Sequence, residues 1–371
     1  MSLATPAQAK QRQFVCRVMS WNLKNYEWTN AKQTESLALY CHQFSVDLVF
    51  VHEVITRSDS STLKINAHAL IEALNRCGSD QWSMRFTTNT KCTTHTIKRT
   101  HSTDGLSKDR IQTVCFWDNT KIESFDKRHF SAECPLIRVE NGIVKMRAAF
   151  GGWSFLCIGV HLKALTGKDH GDETRKAEVA SIVRLCNAYK TTSVVVIGDL
   201  NTDPLGVSCA LNPFQRYDVC NASLGELTSA GFIRISDDAG RQTWHGATET
   251  RRKWAKERRK PSKSTRKLVR TSYKKQQHSR LDHAFVKGFS QVKNVVGQPW
   301  ATLVVIEEKG AKGAKDRDGL AITPREISDH SALILDVHRI TLGPLNLAPL
   351  HIRPRAKGTR LDGSTCSESS A

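Results

Sequence analysis

The stretch VVVIGDLNTDP, Val194–Pro204, decides how the rest of the chain is read. Three valines and an isoleucine describe the end of a buried strand. The run breaks at Gly198 and then delivers Asp199, Asn201 and Asp203. Gly, Asn, Asp and Pro all punctuate strands, so the stretch reads as a turn. It reads equally as a set of acceptor groups that handle a metal ion or a phosphate.

The same sequence of events recurs along the chain. FVCRVMSWN (Phe14–Asn22) is β-rich and stops at Asn22, and VDLVFVHE (Val46–Glu53) stops at Glu53. SFLCIGVHL carries His161 near its end, RLDHAFV (Arg280–Val286) carries Asp282, and Asp329 with His330 precedes SALILDV. If these strands share a sheet system, their ends converge on one rim. A hard cation such as Mg²⁺ takes oxygen ligands, and Asn22, Glu53 and Asp329 suit it. Histidines beside carboxylates suit proton transfer or charge stabilisation. Taken singly, each residue has a structural reading. Asn22 serves a turn, Glu53 a helix start, His161 a hydrogen-bonded core, Asp199 and Asn201 local Asx turns, Asp282 a pair with Arg280, and Ser328 and Asp329 a cap.

Between these points, KQTESLALYCHQF (Lys32–Phe44) reads as a helix with Leu37, Tyr40 and Cys41 on one stripe. TLKINAHALIEALNRCG (Thr62–Gly78) reads as a helix with a glycine cap, and DETRKAEVASIVRLCNAY (Asp172–Tyr189) as a long one. IQTVCFWD (Ile111–Asp118) is a strand, and IVKMRAAF and SFLCIGVHL form a strand pair across GGW. VVGQPWATLVVI and ISDHSALILDVHR each hold a strand. Residues 88–110 read as an exposed loop, and the chain after Pro204 as irregular up to Thr243–Gly246. Hairpin-like pairs interrupt the βα rhythm. The pattern describes a layered α/β protein with largely antiparallel pairing, and neither type of Gly-rich phosphate loop is present.

At 371 residues, 39% hydrophobic and 25% charged, the chain can bury a sizeable core. No apolar run approaches the ~20 residues of a membrane span. The first residues, MSLATPAQAKQRQF, lack the apolar heart of a secretion signal. Eleven cysteines include no CxxC pair, which fits reduced thiols in an intracellular protein, cytoplasmic or nuclear. The net charge of +19 is concentrated: residues 246–280 hold fourteen Lys/Arg against Glu249 and Glu257. A focused positive field suits a polyanion, nucleic acid before an anionic membrane. The residues divide into an N-terminal tail at 1–13, a catalytic domain at 14–340 with the basic insertion 246–280, and a C-terminal tail at 341–371.

Taken jointly, MSWNLKN, DLVFVHE, IGVHLKA, IGDLNTDP, RLDHAF and SDHSALIL, in this order, resemble the endonuclease/exonuclease/phosphatase superfamily. That group includes deoxyribonuclease I and the abasic-site endonucleases. The resemblance covers Met19 to Leu335. It implies a four-layer α-β-β-α sandwich of two mainly antiparallel sheets, with the active site at one rim. It also implies metal-dependent hydrolysis of phosphate esters, with Mg²⁺ or Mn²⁺ as the metal. By the same resemblance Glu53 is the chief metal ligand, supported by Asn22 and Asp329. Asp199 aims and deprotonates the attacking water, and Asn201 holds a phosphate oxygen. His330, oriented by Asp282, stabilises the pentacoordinate phosphorus, and His161 assists the leaving oxygen. The abasic-site branch carries tyrosine at the position of His161. His52 stands where many members have glutamine, and His283 where many have tyrosine.

The resemblance leaves the substrate open within the superfamily. The chain has SRLDH where inositol 5-phosphatases usually carry a WCDR-like sequence, and no membrane-inserting apolar hairpin stands out. The basic segment, with Trp254 and Tyr273 able to stack on bases, points to a nuclease acting on DNA or RNA. RRKWAKERRK also reads as a nuclear-import signal in a eukaryotic host. A phosphomonoesterase or phospholipase of the same fold, acting on phosphoinositides or sphingomyelin, is the alternative. A non-catalytic nucleic-acid-binding protein is a second.

Overall fold

The computed structural model describes residues 10–55, 60–77, 81–86, 111–127, 138–162, 172–189, 193–202, 221–236, 282–290, 299–306, 328 and 330–342. Asp203, Asp329, the 88–110 loop, the basic segment 246–280 and residues 343–371 lie outside them.

Period-2 alternation builds the layers. In β1 (Lys10–Tyr26) Val18 faces one side while Met19, Trp21 and Leu23 face the other. In β2 (Leu48–Ile55) Leu48 and Phe50 share the side of Val18, and Val49 and Val51 that of Met19. These strands join β3 (Trp82–Phe86), β4 (Ile111–Asp118), β11 (Trp300–Ile306) and β12 (Ala332–Leu342) in a six-stranded sheet ordered β11-β12-β1-β2-β4-β3. A second six-stranded sheet holds β5 (Ile122–Lys127), β6 (Val139–Met146), β7 (Ser154–His161), β8 (Val194–Asp199), β9 (Ile233–Ile235) and β10 (Asp282–Lys287), ordered β5-β6-β7-β8-β10-β9. Each sheet has one parallel pair, β1 with β2 and β7 with β8, and the other pairings are antiparallel.

The inner faces meet in a core that includes Leu48, Phe50, Cys157, Val195, Ile197 and Leu333. Gly159 lets the sheets approach, because a Cβ there would stand 2.2 Å from Phe50 Cδ1. Outside the first sheet lie α1 (Ala31–Gln43) and α2 (Ser60–Cys77), packed through Leu37, Tyr40, Leu63 and Leu70. Asn30 caps α1 by accepting from Gln33 N at 3.1 Å. Outside the second lie α3 (Asp172–Ala188) and α4 (Asn221–Ser229), through Val179, Ile182 and Leu227. Helices, sheet, sheet and helices make the four-layer sandwich. Each buried Val, Leu, Ile or Phe contributes roughly 1.5–3 kcal/mol to that packing.

The elements differ in places from those the sequence pattern predicts. The strand read at IVKMRAAF sits earlier, at Val139–Met146, and Ala148–Phe150 is a 3₁₀ turn closed by Gly151 at φ 91°. The stretch after Pro204, read as irregular, holds α4 and β9. β1 starts at Lys10 and continues through Asn22 to Tyr26. Among the described residues no helix is long and apolar enough to cross a membrane.

Candidate active site

Strand direction decides which residues meet. The C-terminal ends of β1, β2, β7 and β8 and the N-terminal ends of β4, β6, β10 and β12 fall on one rim. Along that rim the inward positions, apolar deeper in the sandwich, turn polar. His161 and Asp199 are register partners in the second sheet, and Asp282 pairs with Asp199 from the other side.

Gly198 is required for this placement. It has φ 148°, and a Cβ there would stand 2.0 Å from Val160 O. Beyond it, Asp199 Oδ1 accepts from Asn201 N at 2.9 Å, an Asx turn with Asn201 at φ 50°. The Asn201 amide donates one hydrogen to Leu162 O at 3.0 Å, which leaves its second for another acceptor.

Glu53 reaches the rim by a different device. Simple alternation after Val51 would aim it at the helices. Instead β2 bulges: His52 and Glu53 together oppose Thr113, between the pairs Val51–Val114 and Val54–Gln112. Glu53 takes φ 60°, and its carboxylate turns to the site. There Oε2 accepts from Asn25 N at 2.9 Å and Oε1 from Asn22 Nδ2 at 3.1 Å. The second Asn22 amide hydrogen goes to Asp199 Oδ2, also at 3.1 Å, and Asn22 Oδ1 accepts from Lys24 N at 2.9 Å.

Two imidazoles complete the cluster. His330 Nδ1 donates to Asp282 Oδ2 at 2.9 Å, so its Nε2 faces Asp199 Oδ2, 3.8 Å away. The backbone of His330 is tied to β1: Trp21 Nε1 donates to His330 O, and Ser328 Oγ accepts from His330 N while donating to Asn22 O. His161 Nε2 lies 3.6 Å from Glu53 Oε1 and 3.7 Å from Asp199 Oδ2. His161 Nδ1 is buried and finds no hydrogen-bond partner.

Burial sets the charges. It drives the Asp199 carboxyl up to about 7; the charge of His330 opposes the shift, and that of Asp282 adds to it. Burial holds His161 well below the ordinary histidine value and lowers His52 to about 3, so both are neutral at pH 7. The donors fit a hard divalent cation. Two carboxylates from opposite sheets are drawn together on a single amide, an anionic pair that oxygen-seeking cations compensate. Asp199, Asp282 and His330 also offer ligand atoms within 4.8 Å of one another.

Asn22, Glu53, His161, Asp199, Asn201, Asp282 and His330 are therefore neighbours; Asp329 lies outside the described residues. The sequence pattern marks the polar residues where apolar runs stop, and does not mark the polar groups behind them. Ser20 and Thr113 hydrogen-bond the two nitrogens of His52. Ser20 was findable: it stands two residues before Asn22, on the same face. His283, read as a departure from the resemblance, turns to the other face and donates to Thr202 O at 2.8 Å.

No family model matches the chain, and no curated protein matches it. Solved structures do. An endonuclease/exonuclease/phosphatase family protein from Bacteroides thetaiotaomicron aligns at TM-score 0.51 and 14% identity, over 89% of this chain and 99% of its own. One from Leptotrichia buccalis aligns at TM-score 0.50 and 13% identity, over 87% and 99%. TDP2 of D. rerio, complexed with a single-strand DNA product, aligns at TM-score 0.45 and 14% identity, over 88% and 99%. The fold implied by the sequence resemblance is the one the two bacterial proteins share with this chain.

Proposed function

We propose that this protein is a divalent-metal-dependent phosphodiesterase, a nuclease acting on DNA or RNA. One observation carries the reading. Carboxylates and imidazoles from both sheets, Glu53, Asp199, His161 and His330, face one another at 3.6–3.8 Å around a common space. A phosphodiester is anionic and repels a nucleophile, and in-line attack adds charge to its oxygens. Such a space answers both difficulties.

Each residue then has a task. Glu53 and Asn22 would hold the cation, Mg²⁺ or Mn²⁺, with Asp329 in support; bound there, it offsets charge on a phosphate oxygen. Asp199, fixed by Asn201 N and Asn22, aims a water and takes its proton. Asn201 gives its remaining amide hydrogen to a phosphate oxygen. His330, held in one tautomer by Asp282, receives the charge that grows on the phosphorus oxygens. His161, neutral, offers an N–H to the leaving oxygen. The +19 net charge, concentrated in 246–280, supports a polyanionic substrate.

The test is a substrate panel: plasmid DNA, RNA and phosphoinositide vesicles, each with Mg²⁺ or with EDTA, for the native chain and Glu53→Gln. Nucleic-acid cleavage by the native chain alone is expected, lost in EDTA and reduced about a hundredfold or more in Glu53→Gln. Headgroup hydrolysis without nucleic-acid cleavage would replace the reading with a lipid phosphoesterase. Binding of nucleic acid without any cleavage would replace it with a non-catalytic binder. Deleting 247–278 is expected to flatten the salt dependence of nucleic-acid binding.

A further inference from the structure

The bulge that aims Glu53 interrupts the ladder on both sides of β2. Toward β4, two residues oppose one; toward β1, the register jumps from Asn22–His52 to Tyr26–Val54. Glu53 itself has φ 60°. A turn of strand with its pairing broken on both flanks needs another restraint. The side chain of His52 bonds to both flanking strands at this point.

Its bonds have a defined direction. Thr113 Oγ1 donates its single hydrogen to Arg138 O at 2.8 Å. The contact between His52 Nδ1 and Thr113 Oγ1, at 2.9 Å, is therefore donated by the ring. In the neutral imidazole Nε2 is then an acceptor, and Ser20 Oγ donates to it at 2.8 Å. His52 thus grips β1 through Ser20 and β4 through Thr113. The chain of bonds goes on into the other sheet. Arg138 O, one residue ahead of β6, also accepts from His161 N at 3.1 Å. A continuous buried relay, Ser20–His52–Thr113–Arg138–His161, joins the bulge that carries Glu53 to the strand that carries His161.

We propose that His52 is a positioning residue for the reaction. Through Ser20 and Thr113 it clamps the bulge that aims Glu53, and through the Arg138 carbonyl it fixes Glu53 against His161. This rests on the phosphodiesterase reading of the rim. His52 makes no contact with substrate in that scheme; it sets the distance between groups that do. Replacing the imidazole by leucine removes both bonds, leaving the Thr113–Arg138 link with no connection to β2. A glutamine can donate to Thr113 and accept from Ser20, so it reproduces both.

Three variants and two readouts test it. His52→Leu is expected to lower kcat about 10- to 100-fold with little change in KM, and to weaken Mn²⁺ binding in calorimetry by a similar factor. His52→Gln should recover most of both. Thr113→Val keeps the side chain's shape but severs the relay. It should lower kcat by a smaller factor while Mn²⁺ binding stays near native, because Ser20 still holds His52. Native kcat and Mn²⁺ affinity in His52→Leu would overturn the proposal, as would equal losses in His52→Leu and His52→Gln. If the native chain hydrolyses no phosphodiester, the proposed reaction fails. The Mn²⁺ titrations of the same variants then decide the clamp by themselves.

Discussion

Asn22 and Asp199 meet across the two sheets, the Asn22 amide donating to Asp199 Oδ2 at 3.1 Å. The same nitrogen donates to Glu53, so one amide bridges two carboxylates. Asn22→Leu, close in size but without hydrogens to give, leaves both acceptors short of a partner. A loss of about 1–3 kcal/mol in metal-free urea unfolding is expected, because a buried acceptor stripped of its donor costs that much. Hydrolysis should fall about a hundredfold in initial-rate assays. Native stability would show that the pair does not depend on the amide.

The contact between Asp282 and His330 makes a second prediction. Asp282 accepts the Nδ1 hydrogen and so keeps Nε2 turned toward Asp199. Asp282→Asn can present a donor in its place, which favours the opposite tautomer. A fall in kcat of about 10²–10⁴ with a folded, cooperative protein is expected, by analogy with an orienting carboxylate in other hydrolases. A two-dimensional ¹⁵N spectrum of the histidine rings reads the tautomer independently of rate.

Stability should depend on pH through Asp199. Its carboxyl titrates near 7 in the folded chain, against 3.8 for the ordinary group. Because its folded value is the raised one, the folded state binds the proton more tightly. The stability this group adds is fully present below 3.8 and is lost as pH climbs through about 7. Metal-free native protein should therefore lose Tm over that window relative to Asp199→Asn, which cannot ionise. Parallel curves for the two proteins would contradict the assignment.

Gly198 carries a stability prediction free of any functional reading. An added methyl would collide with a carbonyl at 2.0 Å in a backbone conformation that L-residues avoid. Gly198→Ala should cost more than about 3 kcal/mol in denaturant unfolding, at the top of the usual single-substitution range. An ordinary cost below about 1 kcal/mol would mean that β7 and β8 can move apart freely.

Much of this was legible in the residues. Ile111–Asp118 reads as a strand and is one, because its apolar positions serve cores on both faces. The rim residues were legible for a related reason. An inward position that turns polar where an apolar run stops, as at Asn22 or Asp199, contradicts the local pattern and so stands out. Weak contrast hid other elements. Trp82–Phe86 is an edge strand, mostly half-buried, Ile233–Ile235 has three residues, and Asn221–Ser229 holds Gly225 within its turns. Ala148–Phe150 misled because an apolar run has no period of its own until Gly151 bends it. The aim of Glu53 was not legible at all. The bonds around its positive φ come from residues distant in the chain: Asn22 to Glu53 itself, and Ser20 and Thr113 to the neighbouring His52.

The place of β12 has a consequence for how the molecule is made. This strand, the last among the described residues, inserts between β11 and β1, the first of them, and brings His330 with it. While a ribosome is still adding residues ahead of that strand, the first sheet has a gap beside β1 and the rim lacks an imidazole. The ladder beside β1 closes, and His330 reaches the rim, only after translation has passed Leu342.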